Sequence, residues 1–187
     1  MPNTLTKATR QSFTTTMNFY HAMTDHDTEW IICNNDSFFK LGGQDTSVDD
    51  EEAGIISSSN QAIIRSLWFI APFNMTVTHI SGNVMDDDLT THQDANFLGI
   101  WIVSSFGTSG NTPAAKTGTQ TFTLKYITQD WYAAGLGQGD DTSYAFYDTS
   151  PSLTLSAGDA VWAGHMNFRS SLSDATTVQM SIWGHET

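Results

Sequence analysis

The chain has 187 residues, a formal net charge of −13 at pH 7 and a charged-residue content of 14%, well below the ~25% of an average soluble domain. Its seven Lys and Arg residues are too few to follow a phosphate backbone, so the composition argues against direct nucleic-acid binding and against an anionic membrane surface. The chain instead carries 26 Thr and 19 Ser. Because the branched Thr side chain favours extended backbone, this composition predicts an all-β protein.

Residues 1–60 predict an extended N-terminal arm. Residues 1–13 are polar, short strand candidates lie at 14–22 and 28–33, and an acidic run at 49–52 is soon followed by three serines. The start lacks a basic segment followed by an apolar run, so no secretory signal is expected. No stretch approaches the roughly 18 apolar residues of a membrane-spanning helix, so no span is expected either.

From residue 61 onwards the pattern predicts strands joined by turns. Residues 75–78 alternate between apolar and polar, and the phase then slips at His79 and Ile80, which predicts a β-bulge. Residues 97–103 are apolar on both faces, so this strand is either central between two covered layers or covered by a neighbouring subunit. Residues 121–126 alternate in the manner of a half-buried strand.

The C-terminal third shows the clearest strand and turn pattern. Residues 153–162 indicate a short strand, an Ala-Gly-Asp turn and a second strand, and residues 178–183 indicate a last strand with alternate residues pointing inward. About eight strands follow residue 60, which fits a sandwich or jelly roll. We therefore predict an all-β jelly-roll β-sandwich over residues 61–187, preceded by residues 1–60 as an arm that exchanges strands.

Three segments of this body match patterns of a known type of domain. Residues 68–77, WFIAPFNMTV, are similar to the second-strand signature of phage sandwiches, although Asn-Met replaces the usual Asp-Gly turn. Residues 153–162, LTLSAGDAVW, are similar to the Ala-Gly-Asp hairpin of C1q-like domains, and residues 178–183 form a closing strand. Residues 61–187 thus resemble the tumour-necrosis-factor/C1q-like jelly rolls found in structural proteins of bacteriophages. The resemblance implies a trimer that serves as a decoration, fibre or receptor-binding part of a virion.

Residue types that serve as metal ligands or as nucleophiles occur in several places, but their spacing does not suit a metal site or a catalytic site. His21, Asp25, His26 and Asp27 include metal-ligating types, but the spacing of the two histidines does not suit a zinc site on one element. Cys33 ends an apolar strand, where a small buried side chain is expected rather than a nucleophile. As the single cysteine it forms no intrachain disulfide, which favours a reducing compartment.

Runs of acidic residues are candidates for calcium binding or for glycoside hydrolysis. The runs at 49–52, 86–88 and 140–141 carry oxygen ligands suited to Ca²⁺, but they lack the alternating frame of a calcium loop. No spacing singles out a pair of carboxylates for glycoside hydrolysis. We therefore predict no catalytic residue, no metal ligand and no cofactor.

The positions of the tryptophans indicate which surfaces of the fold need a cover. Alternation places Trp162 and Trp183 on the strand faces opposite their inward-pointing neighbours. Because a two-sheet sandwich buries only one face of each strand, such side chains need a cover, which a symmetric neighbour in a trimer supplies. In the alternative, the tryptophans lie in a single core shared by the two sheets. The predicted subunit-interface residues are Trp101, Trp162, Trp183 and Phe168.

These features together predict a non-enzymatic virion structural protein, most directly a trimeric capsid decoration (cement) protein or the head of a fibre, assembled in the host cytoplasm. Its partners are expected to be identical copies and other virion proteins, such as the major capsid protein or tail and fibre components, reached through strands of the arm. The alternative is a carbohydrate- or receptor-binding tail or adhesion module. In that alternative Trp131 and Tyr132, beside a glycine-rich turn, form the ligand platform. A small hydrolase on a sandwich is a further rival.

Overall fold

The computed structural model describes residues 10–23, 30–34, 37–41, 55–59, 61–88, 96–108, 110, 115–129, 140–167 and 174–187. In these ranges the chain is built almost wholly of antiparallel strands, with one short helix. The elements are β1 (Ser12–Met23), β2 (Trp30–Asn34), β3 (Ser37–Leu41), β4 (Ile55–Ser58), α1 (Gln61–Arg65), β5 (Phe69–Ile70), β6 (Met75–Asp88), β7 (Asn96–Val103), β8 (Gln120–Ile127), β9 (Asp140–Asp148), β10 (Thr154–Leu155), β11 (Ala160–Asn167) and β12 (Asp174–Glu186).

Two antiparallel sheets make up the fold, and one of them is strongly curled. In the first sheet the order is β1-β12-β6, and both β9 and β10 pair along the remaining edge of β6. In the second sheet the order is β3-β2-β11-β7-β8-β4, and β5 also pairs with β11. The predicted all-β sandwich of the jelly-roll type is confirmed, with eight strands among the described residues after residue 60.

The described strands before residue 60 belong to the same two sheets. β1 runs antiparallel to β12 over its whole length, from the pair Ser12–His185 to the pair Met23–Asp174. β2 pairs with β11, β3 with β2, and β4 with β8. The predicted division into an arm and a body at residue 60 stays a prediction, and the acidic run at 49–52 lies outside the described residues.

The last strand, β12, follows the alternation that its sequence predicts. Val178, Met180 and Ile182 are fully buried between the sheets, whereas Gln179 and Trp183 lie on the opposite face and are exposed. This strand is central in the first sheet, with β1 on one side and β6 on the other. Its inward row therefore contributes to the middle of the core.

The predicted bulge lies in β6. His79 pairs with Trp183, and Val77 pairs with the residue that follows Trp183, so Thr78 is the extra residue. Because this extra residue shifts the alternation by one position, both Val77 and Ile80 face the core. The outward row of the strand restarts at His79.

The core between the sheets is apolar and closely packed. Both sheets contribute alternate residues of their central strands, as a sandwich requires. Its fully buried members include Ile80, Val84, Leu98, Ile100, Val161, Val178, Met180 and Ile182.

A second apolar layer covers the opposite face of the second sheet. α1 contributes Ile63 and Ile64 to this layer, and the carbonyl oxygen of Ile63 accepts a 2.9 Å hydrogen bond from Nε1 of Trp162. The indole of Trp162 also makes edge-on contacts with Phe106 and Phe122, whose ring centroids lie 5.6 and 4.9 Å away. The central strands of the second sheet, β7 and β11, are therefore covered on both faces by their own chain. Residues 97–103, apolar on both faces, lie between two covered layers.

A glycine makes room for one of the tryptophans of this second layer. Gly99 of β7 pairs with Gly164 of β11, and the ring of Trp30 lies over Gly99. A Cβ atom on Gly99 would come within 2.6 Å of two carbon atoms of that ring. Trp30 also packs edge-on against Trp101, with 5.5 Å between the ring centroids.

Two of the segments that carry the sequence resemblance meet in the structure. The amide of Ala71 donates to the carbonyl of Asp159 at 2.8 Å, and the amide of Gly158 donates to the carbonyl of Ala71 at 2.9 Å. Nearby, the amide of Ala157 donates to Oδ1 of Asn74 at 2.9 Å. The Ala-Pro-Phe segment and the Ala-Gly-Asp turn thus form one hydrogen-bonded junction.

Asp159 holds this junction to a neighbouring loop. Its side chain is buried, Oδ2 accepts the amide of Ser156 at 2.9 Å, and Oδ1 accepts the amide of Ser105 at 3.1 Å. The preceding Gly158 has φ of +89°, and a Cβ there would lie 3.1 Å from the carbonyl oxygen of Gly107. The turn therefore requires glycine both for its backbone conformation and for the close approach of the loop.

Candidate functional site

The outer face of the first sheet, which points away from the core, is the candidate site. Strand register places Thr14 of β1, Trp183 of β12 and His79 of β6 side by side in one row across this face. The next row along the strands contains Ser81 of β6 beside Tyr147 of β9. These two rows combine aromatic rings with small hydroxyl side chains.

An open groove of about 490 Å³ lies over these rows. Its lining includes Trp183, Tyr147, His79, Thr14 and Ser81. Tyr147 is 80% exposed and Trp183 is 38% exposed, so both rings are open to a ligand in the single chain. Among the described residues that line the groove, none is an Asp, Glu, Lys or Arg.

The bulge in β6 fixes the position of the polar groups beside Trp183. The hydroxyl of Thr78 donates to the carbonyl oxygen of Trp183 at 3.3 Å, and Nδ1 of His79 lies 3.0 Å from the same hydroxyl. These contacts tie the bulge to the strand that carries the tryptophan. One row further on, Oγ1 of Thr16 and Oγ of Ser181 form a 2.7 Å hydrogen bond.

The strand that carries Tyr147 is tied to the second sheet at the next residue. The hydroxyl of Tyr126 on β8 donates to Oδ2 of Asp148 at 3.2 Å, and Oδ1 of Asp148 accepts the amide of Ser150 at 2.8 Å. Burial raises the pKa of Tyr126 well above its usual range, and the charge of Asp148 and its hydrogen bond raise it further. At neutral pH this phenol is therefore a donor, which fits its bond to the carboxylate.

The structure corrects the prediction for two of the four subunit-interface residues. Trp101 and Trp162 lie on the outward face of their strands, but both are fully buried beneath the second apolar layer. Because α1 and the rings of Phe106 and Phe122 cover that face, neither tryptophan is available to a second subunit. The predicted exposure of Trp183 is confirmed, and its contact with a second copy stays a prediction.

Other predicted site residues lie outside the part of the chain whose side chains are described. They are Phe168 and the ligand platform Trp131 and Tyr132. The residues judged unsuited to a metal site or to nucleophilic attack also lie outside it, namely His21, Asp25, His26, Asp27 and Cys33. Within the described residues, no group of three or more His, Cys, Asp or Glu side chains is placed to hold a metal ion. No helix in the described ranges has the length and apolar character needed to span a membrane.

Sequence reasoning missed Tyr147 and His79 as site residues. The signal for Tyr147 is the alternation of β9, in which Tyr144 and Phe146 pack on the core and the next residue faces outward. The signal for His79 is the bulge itself, because the phase slip determines which residue pairs with Trp183. Neither signal identifies a groove without the pairing of β6 with both β9 and β12.

Comparisons with known proteins add little to this geometry. No protein-family model matches the sequence, and no curated protein matches it. Among solved structures, a chain of turnip yellow mosaic virus at 100 K overlaps 94% of this chain and 94% of its own length, with 10% identity and a TM-score of 0.21. A TM-score this low does not establish a shared fold.

Proposed function

We propose that this protein is a non-enzymatic structural component of a virus particle, in the role of a capsid decoration protein or a fibre head. One observation carries the proposal. The Ala-Pro-Phe segment around Ala71 and the Ala-Gly-Asp turn at 157–159, which resemble phage jelly rolls in sequence, are joined by backbone hydrogen bonds of 2.8 and 2.9 Å. The two short motifs that carry the resemblance thus form one structural unit, which supports the proposal.

The layered packing supports the same role. The central strands of the second sheet are covered on both faces within the chain, so both apolar cores form without a partner. Among the described residues, the surfaces open to attachment are the strand edges and the outer face of the first sheet. Backbone groups at a strand edge accept an added strand from a partner, a common way of joining β proteins.

We propose a homotrimer joined at β4, an edge strand of the second sheet among the described residues. β4 pairs with β8 on one side, and its Ile55 is 67% exposed. A contact between this edge and a different surface of the next copy closes into a ring when it repeats three times. This contact replaces the tryptophan-based interface that the buried Trp101 and Trp162 no longer support.

The oligomer is tested by light scattering on the purified full chain. We expect a mass of three chains for the wild type and of one chain for Ile55→Lys, because a charge at the centre of an apolar contact is costly to bury. Met85→Lys is the matched control, since Met85 is also exposed but lies in the first sheet. A wild-type mass of one chain at all concentrations would refute the trimer.

The virion role is tested by adding purified protein to particles of the virus that encodes it, assembled without this protein. We expect the protein to sediment with the particles and to saturate at a copy number set by the particle symmetry. Density at one symmetry position in electron micrographs would locate it. Protein that stays at the top of the gradient at every ratio would refute the role.

A further inference from the structure

We infer that the groove on the outer face of the first sheet binds an uncharged carbohydrate, with Trp183 and Tyr147 as its two stacking platforms. This inference goes beyond the virion role, and it does not depend on that role. It also places the ligand on residues of β9 and β12, not on Trp131 and Tyr132, which lie outside the described residues.

The chemistry of the groove matches a polyol that has apolar faces. Trp and Tyr each offer a flat apolar ring with a polar edge, which suits the C–H face of a sugar ring and its flanking hydroxyls. Ser81 and Thr14 line the same groove, and their hydroxyls both donate and accept hydrogen bonds, as sugar hydroxyls do. Exposed rings combined with a few convergent polar groups are typical of small-ligand sites.

Strand register indicates the length of ligand that the groove fits. Trp183 lies on β12 and Tyr147 lies on β9, with β6 between them, and the two residues are offset by one row. With about 4.8 Å between strands and about 6.8 Å along two residues, their Cα atoms are roughly 12 Å apart. His79 and Ser81 of β6 form the floor between the two rings. A ligand that contacts both rings therefore needs more than one sugar unit.

Other occupants fit this face less well. A nucleic acid needs cationic contacts, and none of the described lining residues is Lys or Arg. The net charge of −13 opposes anionic glycans, which favours an uncharged one. A second copy of the chain would have to desolvate hydroxyl and amide side chains such as Thr16, Ser181 and Gln179, which share this face with the two aromatic residues.

The test uses the full chain and a panel of neutral oligosaccharides, from disaccharides to hexasaccharides, built from glucose, galactose, mannose or N-acetylglucosamine. Binding is measured by calorimetry and by quenching of tryptophan fluorescence. We expect at least one series to bind, with affinity that rises from the disaccharide to longer members. We expect an otherwise matched sialylated oligosaccharide to bind more weakly.

Two variants and one control assign the site. Trp183→Ala and Tyr147→Ala are each expected to weaken binding by about tenfold or more, whereas Ile127→Ala, an exposed apolar residue of the second sheet, should leave it unchanged. Tyr147→Ala keeps the test valid if Trp183→Ala alters folding, because 80% of Tyr147 is exposed. Tyr147→Ala and the wild type should attach equally well to virus particles. A failure of the carbohydrate proposal can therefore be distinguished from a failure of the virion role.

Three results would overturn the inference. The first is no binding across the neutral panel, and the second is binding that survives both aromatic substitutions or is lost equally in Ile127→Ala. The third is a Trp183→Ala protein whose mass falls to one chain, since that result would assign Trp183 to a contact between copies.

Discussion

Replacing Trp162 with alanine should destabilise the fold strongly, although sequence alternation places this residue on the outer face of its strand. The side chain is fully buried against Phe106, Phe122 and α1. A buried Trp removes about 200 Å² from water, which at about 25 cal/mol per Å² gives an upper estimate of about 5 kcal/mol. The substitution also removes the 2.9 Å hydrogen bond to the Ile63 carbonyl, which keeps its 3.0 Å bond from the amide of Ser66.

We therefore expect Trp162→Ala to lower the free energy of unfolding by about 3–5 kcal/mol, the usual range for large-to-small substitutions of core aromatics. At a urea dependence of about 2 kcal/mol per M, the midpoint should fall by about 2 M. Circular dichroism during urea unfolding measures this midpoint. Tyr147→Ala is the matched control, because that ring is 80% exposed and its loss should change stability by no more than about 0.5 kcal/mol.

The dependence on protein concentration separates a cover within the chain from a cover by another subunit. Since the cover of Trp162 belongs to the same chain, the difference between the variant and wild-type midpoints should be the same at low and high concentration. A difference that grows on dilution, or a variant as stable as Tyr147→Ala, would refute the assignment of Trp162 to an internal core.

Three further substitutions test other parts of the structure by urea unfolding. Gly99→Ala should cost about 1–3 kcal/mol, because the new Cβ would lie 2.6 Å from the ring of Trp30; an unchanged midpoint would contradict that packing. Asp159→Ala should cost about 2 kcal/mol or more, because two backbone amides lose their carboxylate acceptor; wild-type stability would show that these bonds contribute nothing. Since burial and Asp148 raise the pKa of folded Tyr126, its contribution to stability is complete below about pH 10 and is lost as the pH rises above that value. Tyr126→Phe should therefore lose stability less steeply above pH 10 than the wild type, and parallel slopes would contradict the raised pKa.

Features set by local alternation were predictable from the sequence. The inward row of β12 and the phase slip at His79 depend on neighbours along one strand, and the structure confirms both. The Ala-Gly-Asp turn was also recognisable, because Gly158 has the positive φ that glycine adopts easily. These features reflect backbone geometry, which a short stretch of sequence determines.

The second apolar layer was not predictable in the same way. The pattern at 97–103 shows two apolar faces, but it does not show whether the chain or a neighbour covers the second face. The cover includes α1, a helix of five residues whose sequence, QAIIR, carries too little periodicity to be recognised. The position of Trp30 over Gly99 depends on the pairing of both β2 and β7 with β11, which is a long-range property.

The candidate site depends on long-range pairing to an even greater degree. Trp183 was identified as an outward residue from β12 alone, but Tyr147 joins it only because β9 and β12 both pair with β6. The interface assigned to Trp162 was wrong for the related reason that α1 covers the residue. Alternation thus shows which face a side chain takes but not what covers that face.

Hydrogen exchange of the tryptophan indole N–H groups, followed by nuclear magnetic resonance at several protein concentrations, tests most directly whether one chain covers both faces of its second sheet. We expect slow exchange at Trp162 and Trp101, rapid exchange at Trp183, and the same order after dilution. Exchange at Trp162 as fast as at Trp183, or protection that disappears on dilution, would contradict the internal second core.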